Sequence, residues 1–336
     1  MENDSTVSQK NIRKFGSAIK IFLAFIGLFI LTGAKLSPVK NSTDWMTGLS
    51  REPIHLAAWP NGKKVAVCFV LYVEEWGLGQ GPNFRPDTIR RNPDFVNESF
   101  RQYAINWGVV RVGRLFNEQG IPLSIALNAL FPQKHRDVWE IFRSLVPKAP
   151  IIAHGMNNST DILPLDRPQN EQQIYIHKTL DLIEQETGTR PHGWTSPSVY
   201  ANANTFAATT AEGITYSLDG MDSDILSRII TKSGPLVLIP YQTVTVDMGQ
   251  YFQRLKQPSE IERLWIDYVT ELAGEAESHP TDEATVVVIG IHPFVVGTPD
   301  GVAALRRVLQ NFKNQKQVWV TDVQAVLNAA ASSPDK

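Results

Sequence analysis

Three apolar runs in this sequence end in side chains that can move a proton or hold a cation. Val65–Tyr72 is followed by Val73-Glu74-Glu75-Trp76, Ile151–Ala153 by His154-Gly155-Met156-Asn157-Asn158, and Thr285–Ile291 by His292-Pro293. A carboxylate can take a proton from water, and an imidazole can return one to a departing atom. Together the two side-chain types can also hold a divalent ion. Glu74 and Glu75 are adjacent, so in extended backbone they face opposite sides; Glu74 is taken as the inward one. Of the seven histidines, only His154 and His292 end apolar runs. His55, His135, His177, His192 and His279 sit in linker, helix or turn contexts and read as structural.

Such groups meet only if the strands that carry them open on one face. From Trp59 onward, strand-like and helix-like stretches alternate. Strands are expected at 64–72, 121–127, 151–153, 193–195, 214–218, 236–240, 285–291 and 318–320. Helices are expected at 101–118, 135–145, 170–186, 204–212, 258–275, 302–312 and 322–331, the last capped by Asp322. Regular alternation with β-branched strands predicts a parallel sheet covered by helices. Seven or eight repeats favour a closed barrel, in which every strand's carboxyl end opens on the same rim. Those ends carry Tyr72, Glu74 and Glu75; Asn128; His154 to Asn158; Trp194 and Ser196; Asp219 and Asp222; Tyr241; His292; and Thr321. Tyr72, Asn128, Trp194 and Asp219 are the substrate-binding candidates of that rim. Trp194 reads equally as a packing aromatic, and Asp219 and Asp222 equally as loop caps. The long loop 76–97, rich in proline and arginine, is placed to line the mouth.

Bulk properties exclude several classes. With 336 residues and a formal net charge of −2, and no basic block interleaved with aromatics, no nucleic-acid surface is expected. Gly77-Leu78-Gly79-Gln80-Gly81 follows a strand, but Pro82 comes next and no helix opens there. A phosphate cradle needs a helix N-terminus at that point, so no nucleotide cofactor is expected. Cys68 is the one cysteine, which rules out an intrachain disulfide and reads as a small buried hydrophobe. Arg13, Lys14 and Lys20 precede an apolar run, Ile21–Ala34, of about 14 residues. That length is short for a span of roughly 20 and suits a signal peptide, with Thr32-Gly33-Ala34 at the cut. A tether through 15–34 is the other reading. Both place the protein outside the cytoplasm, exported to the periplasm, envelope or medium, or held by one N-terminal segment. The domain organisation is therefore a signal peptide or anchor at 1–34, a linker at 35–55 and one barrel domain at 56–332.

The sequence resembles the polysaccharide deacetylase superfamily, and more closely its allantoinase-like branch. The resemblance lies in His154-Gly155-Met156-Asn157-Asn158-Ser159, Arg190-Pro191-His192-Gly193-Trp194, Tyr216–Asp219 and His292-Pro293-Phe294 with Gly297, and it runs from about Trp59 to about Ala331. It implies an α/β fold, a distorted (β/α)7 barrel, and hydrolysis of a non-peptide C–N bond, usually an N-acetyl amide on a sugar. Metal-dependent members hold the ion with an aspartate and two histidines spaced H-x3-H, and use a second aspartate as base. In a D-x-D register Glu74 falls at the metal-binding aspartate and Tyr72 at the base. In a D-D register Glu74 is the base and Glu75 the ligand. His154 matches the first histidine, Asn158 stands at the second, and His292 matches the late histidine that protonates the leaving nitrogen.

A zinc-type ion held by Glu74, His154 and Asn158 would be held weakly, because a neutral amide oxygen is a poor replacement for imidazole. That donor set favours a small cyclic amide, whereas the export signal favours an envelope glycan. The sequence therefore predicts a hydrolase acting on a small-molecule or glycan amide, with Glu74 or Glu75 and His292 as its catalytic pair. The alternative is a glycan-binding member of the same fold that has lost its chemistry.

Overall fold

The computed structural model describes residues 42–43, 47–88, 90–159, 167–280 and 282–332. The expected signal segment or anchor at 1–34 lies outside the described residues. Among the described residues, no helix is long and apolar enough to cross a membrane.

In chain order, β1 (Ser42–Thr43), β2 (Ser50–Pro53) and β3 (Val65–Val73) lead into α1 (Phe95–Tyr103) and α2 (Val109–Gln119). Then come β4 (Ser124–Leu127), α3 (Phe131–Lys134), α4 (Arg136–Leu145), β5 (Ile151–Ala153) and α5 (Gln169–Thr187). The next stretch holds β6 (Gly193–Trp194), α6 (Ala203–Ala211), β7 (Tyr216–Gly220), β8 (Ser227–Thr231) and β9 (Gly234–Pro240). The chain closes with α7 (Pro258–Ser278), β10 (Thr285–Ile291), α8 (Pro293–Val296), α9 (Pro299–Asn314), β11 (Val318–Thr321) and α10 (Val323–Ala331).

Seven of these strands run parallel in the order β9-β7-β6-β5-β4-β3-β10, with β11 beside the first half of β3. This is the barrel wall, an α/β architecture of the distorted (β/α)7 kind. The ladder lapses between β9 and β10, and side chains bridge the gap. Gln242 donates to the Val286 carbonyl (3.1 Å), Thr245 to the Val288 carbonyl (2.7 Å), and Asp247 accepts from the His292 backbone N–H (2.7 Å). Buried backbone groups need partners, and the segment after β9 supplies them without being a strand.

Side-chain alternation sorts each strand into two layers. On β3, Val65, Val67, Phe69, Leu71 and Val73 pack against the helices, while Ala66, Cys68, Val70 and Tyr72 fill the barrel interior. β5 turns Ile152 inward and β10 turns Val286 and Val288 inward. Gly290 continues that inward row because Tyr241 fills the space that a Cβ would need.

Three expected boundaries differ. Residues 35–55, read as a linker, contain β2, which pairs antiparallel with β8. β8, which the sequence reading did not include, pairs antiparallel with β9 and alternates buried and exposed side chains. Ser50-Arg51-Glu52-Pro53 has a charged, half-exposed face and reads as a strand only beside its partner. The helix expected at 101–118 begins earlier, at Phe95, where Asp94 caps it by accepting from the Asn97 backbone N–H, and it passes through a π turn at Ala104–Gly108.

Candidate active site

The inward rows of three strands, each extended by one more alternate residue, give the site. Tyr72 leads to Glu74, Ile152 to His154, and Gly290 to His292. Strand register sets their heights: Val73, Leu127 and Ala153 are level, while Ile291 pairs with Leu71. His292 is therefore level with Tyr72, two residues below Glu74. The Tyr72 ring accordingly stacks on His292 (4.8 Å between centroids, 11° between planes) and meets His154 edge-on (4.9 Å, 77°).

Glu74 is the centre of the cluster. Its Oε1 lies 3.3 Å from His154 Nε2 and 3.8 Å from His292 Nε2, and its Oε2 accepts from Trp76 Nε1 at 3.2 Å. Burial works against its charge, but His292, His154 and Trp76 outweigh it and hold the carboxyl below the ordinary range. His292 is balanced the same way. Burial would lower its pKa, yet Asp247 and Glu74 hold it above the ordinary value. Each group thus favours the charged form of the other, the carboxyl shifted down and the imidazole shifted up.

His154 donates through Nδ1 to the Thr195 carbonyl at 2.8 Å, which turns Nε2 toward Glu74. Gly155 makes the tight exit after it. Its φ is +70°, and a Cβ there would meet Pro197 and lie 2.8 Å from Tyr175 Oη. The turn brings Asn157 and Asn158 back over the barrel, and Asn158 N–H bonds the Glu75 carbonyl at 3.0 Å.

The orientation of the Asn158 amide is fixed by a chain of unambiguous partners. Asn128 Oδ1 must accept from the Glu75 backbone N–H (2.9 Å), so Asn128 Nδ2 donates to the His154 carbonyl and, at 3.1 Å, to Asn158 Oδ1. Asn158 Nδ2 is left facing Glu74 Oε1 and His154 Nε2, the latter at 3.2 Å. An N–H group therefore points at the two atoms that a cation would need. Among the described residues no three His, Cys, Asp or Glu side chains gather as a metal site. The donor set of Glu74, His154 and Asn158 does not fit a zinc-type ion.

Glu75 is set apart from this cluster. It belongs to the helix-side layer, where it takes Lys134 Nζ (2.7 Å) on one oxygen and His135 Nε2 (2.7 Å) on the other. Its side chain ties the strand end to α3, and only its backbone touches the cluster, through Asn128 and Asn158. Trp194 does not line the pocket either. It lies fully buried in the helix-side core, with its indole N–H on Ser196 Oγ at 2.9 Å. Asp219, buried, accepts from both the Ser196 backbone N–H and hydroxyl at 2.8 Å and so holds the loop after β6. Asp222 pairs with Arg51 at 2.7 Å, joining β2 to the loop before β8. Asn128 and Tyr72 do reach the cluster, but as supports for Asn158 and for the two histidines.

Asp247 also belongs to the cluster, although no pattern in the sequence marks it. It lies seven residues past the end of β9 with no strand of its own to announce it. Its Oδ1 is 2.6 Å from His292 Nδ1, and its Oδ2 takes the His292 backbone N–H. The available signal was weak: an acid in an otherwise uncharged stretch, Tyr241–Gly249, between two barrel strands.

The fold is that of solved proteins described as polysaccharide deacetylases and as an allantoinase. The chain is similar to the solved Puue allantoinase, with 25% identity over 85% of this chain and 96% of that one and a TM-score of 0.71. It is also similar to a probable polysaccharide deacetylase from Pseudomonas aeruginosa PAO1, with 22% identity over 85% of this chain and 97% of that one and a TM-score of 0.71. A similarly described protein from Mycobacterium smegmatis shares 20% identity over 84% of this chain and 97% of that one, with a TM-score of 0.68. No family model matches the chain, and no curated protein matches it.

Proposed function

We propose that this chain is a hydrolase of non-peptide C–N bonds that opens a small cyclic amide, such as a ureide ring, without a metal ion. The observation that carries the reading is Glu74 Oε1 lying 3.8 Å from His292 Nε2, with the carboxyl shifted below its ordinary range and the imidazole above its own. In the reaction Glu74 takes a proton from water as the water oxygen bonds to the ring carbonyl carbon. The C–N bond then breaks, and His292 gives its Nε2 proton to the departing nitrogen. Passage of the proton from Glu74 to His292 restores both groups. Asp247 keeps His292 charged and turned inward, and Asn158 keeps Glu74 turned toward it.

The substrate class follows from what the site lacks the means to do. Without a bound cation, water keeps a pKa near ~15.7 rather than roughly 7. Positioned acid–base groups contribute on the order of 10²–10⁴-fold. That is little against an unactivated acetamide but useful against an electron-poor ring. The reacting groups are also enclosed, at 5% exposure for Glu74, 2% for His154 and 4% for His292, which suits a small ligand better than a polymer. The similarity to an allantoinase supports the same class.

The deciding experiment is an amide-hydrolysis screen on chelator-treated protein, covering cyclic ureides, N-acetylglucosamine oligomers and muropeptides. Ring opening that survives chelation is expected. Activity only on acetylated glycans, restored by zinc, would reverse the reading. Glycan binding with no turnover of any amide would favour the non-catalytic alternative, for which Tyr72 and Asn158 at the family's base and ligand positions speak. Export or a one-segment tether is proposed from the apolar run at 21–34, and the mature N-terminus read by sequencing tests it.

A further inference from the structure

Beyond His292 a row of aromatic rings continues outward from the pocket. Phe294 lies 6.2 Å from His292 with 21° between planes, and Phe100 lies 6.2 Å from Phe294 with 31°. Phe84 stacks on Phe100 at 5.5 Å and 22°, and Phe252 meets Phe100 edge-on at 6.0 Å and 85°. Burial falls along the row, from 3% exposure at Phe294 to 52% at Phe84. These rings come from segments that follow the carboxyl ends of β3, β9 and β10. They therefore stand together over the side of the barrel where the β9–β10 ladder lapses.

Packing accounts for the inner rings but not for the outer end. Phe84 is left half in water at the end of a stack that begins on the proton donor. The segment carrying Phe252 is a π turn, Gly249–Gln253, and Leu255 just beyond it holds a φ of +55° while 77% exposed. A left-handed leucine with no buried packing to hold it, beside a π turn, is the kind of local cost found at binding sites. We propose that this aromatic row is a subsite for a planar, apolar substituent on the ring that the site opens, such as an arylmethyl group. The four rings carry no charge or hydroxyl, so their complement is a flat hydrocarbon surface that can stack or meet them edge-on. The proposal rests on the hydrolase reading for the position of the ring and on the aromatic row for the substituent.

The test is calorimetric binding of hydantoin and 5-benzylhydantoin to the full chain and to Phe84→Ala, with ring opening measured separately. Phe84 is half exposed, so its truncation leaves the core intact, and Phe84→Tyr serves as the conservative control. The expected result is about tenfold tighter binding of the benzyl compound, the scale of one good aromatic contact. Phe84→Ala should close most of that gap without changing hydantoin binding, and Phe84→Tyr should keep it. Equal binding of the two rings, or a preference that Phe84→Ala leaves untouched, overturns the subsite. Binding of chitotetraose that is lost in Phe84→Ala, with no benzyl preference, overturns it in favour of a sugar platform. Ring opening without a benzyl preference sinks the subsite alone, whereas a benzyl preference without ring opening sinks the hydrolase reading alone. A protein that neither binds nor opens either ring refutes both.

Discussion

Asp247 grips His292 at two points, with one carboxylate oxygen 2.6 Å from ring Nδ1 and the other 2.7 Å from the backbone N–H. The same aspartate is the last of the side chains that close the barrel between β9 and β10. Barrel closure and orientation of His292 are thus one structural event.

Removing the charge of Asp247 should therefore change a pH profile, not only a rate. His292 is held above its ordinary value of 6.5 against burial by Asp247 and Glu74. Activity that needs the imidazolium falls as pH rises through that raised value. In Asp247→Asn burial is opposed by Glu74 alone, so the alkaline limb should move to lower pH. Turnover above neutrality should drop about a hundredfold, the scale of a lost acid–base contribution. A pH–rate series on a cyclic ureide checks both.

The same pair sets a window of stability. Glu74 has a depressed pKa in the folded chain, so its stabilisation is present above the unfolded value and is lost as pH falls through the folded one. His292 has a raised one, so its stabilisation is full below the unfolded value and is lost as pH rises through the folded one. Thermal melts should peak between these limits. His292→Asn should flatten the alkaline decline, and Glu74→Gln the acid one.

Asn158 separates the metal-free reading from its alternative. Its amide N–H faces Glu74 and His154, so chelation of the wild type should leave both melting temperature and ring opening unchanged. Asn158→His replaces that donor with a ligand at the H-x3-H spacing and should gain zinc binding. Zinc titration followed by calorimetry and by Tm should show a stabilised variant and an indifferent wild type.

The adjacent glutamates should behave oppositely. Glu74→Gln removes the proposed base and His292→Ala the proposed acid, and each should cut turnover at least about a hundredfold. Glu75→Gln removes half of the contact to Lys134 and His135 and should cost about 1 kcal/mol of stability with turnover within a fewfold of wild type. Chemical denaturation and steady-state kinetics on the three variants give the comparison.

Alternation along β3, β5 and β10 was readable from the sequence, because a strand buried on both faces must send every second residue to the same side. That alone placed Glu74, His154 and His292 at strand ends and set Glu75 on the opposite face from Glu74. The barrel class was legible as well, and so was an amide, Asn158, standing where the resemblance implies a histidine. Only the tertiary structure could show that Trp194 belongs to the helix-side core and Asp219 to a loop clamp, since inward and outward are equally open to a residue at a strand's last step. Only it could bring Asp247 to His292, because that contact comes from a segment without periodicity, placed by Gln242 and Thr245 bonding across a lapsed ladder. And only it could orient the Asn158 amide, whose two ends differ by a hydrogen-bond chain through Asn128 to the Glu75 backbone that no linear pattern encodes.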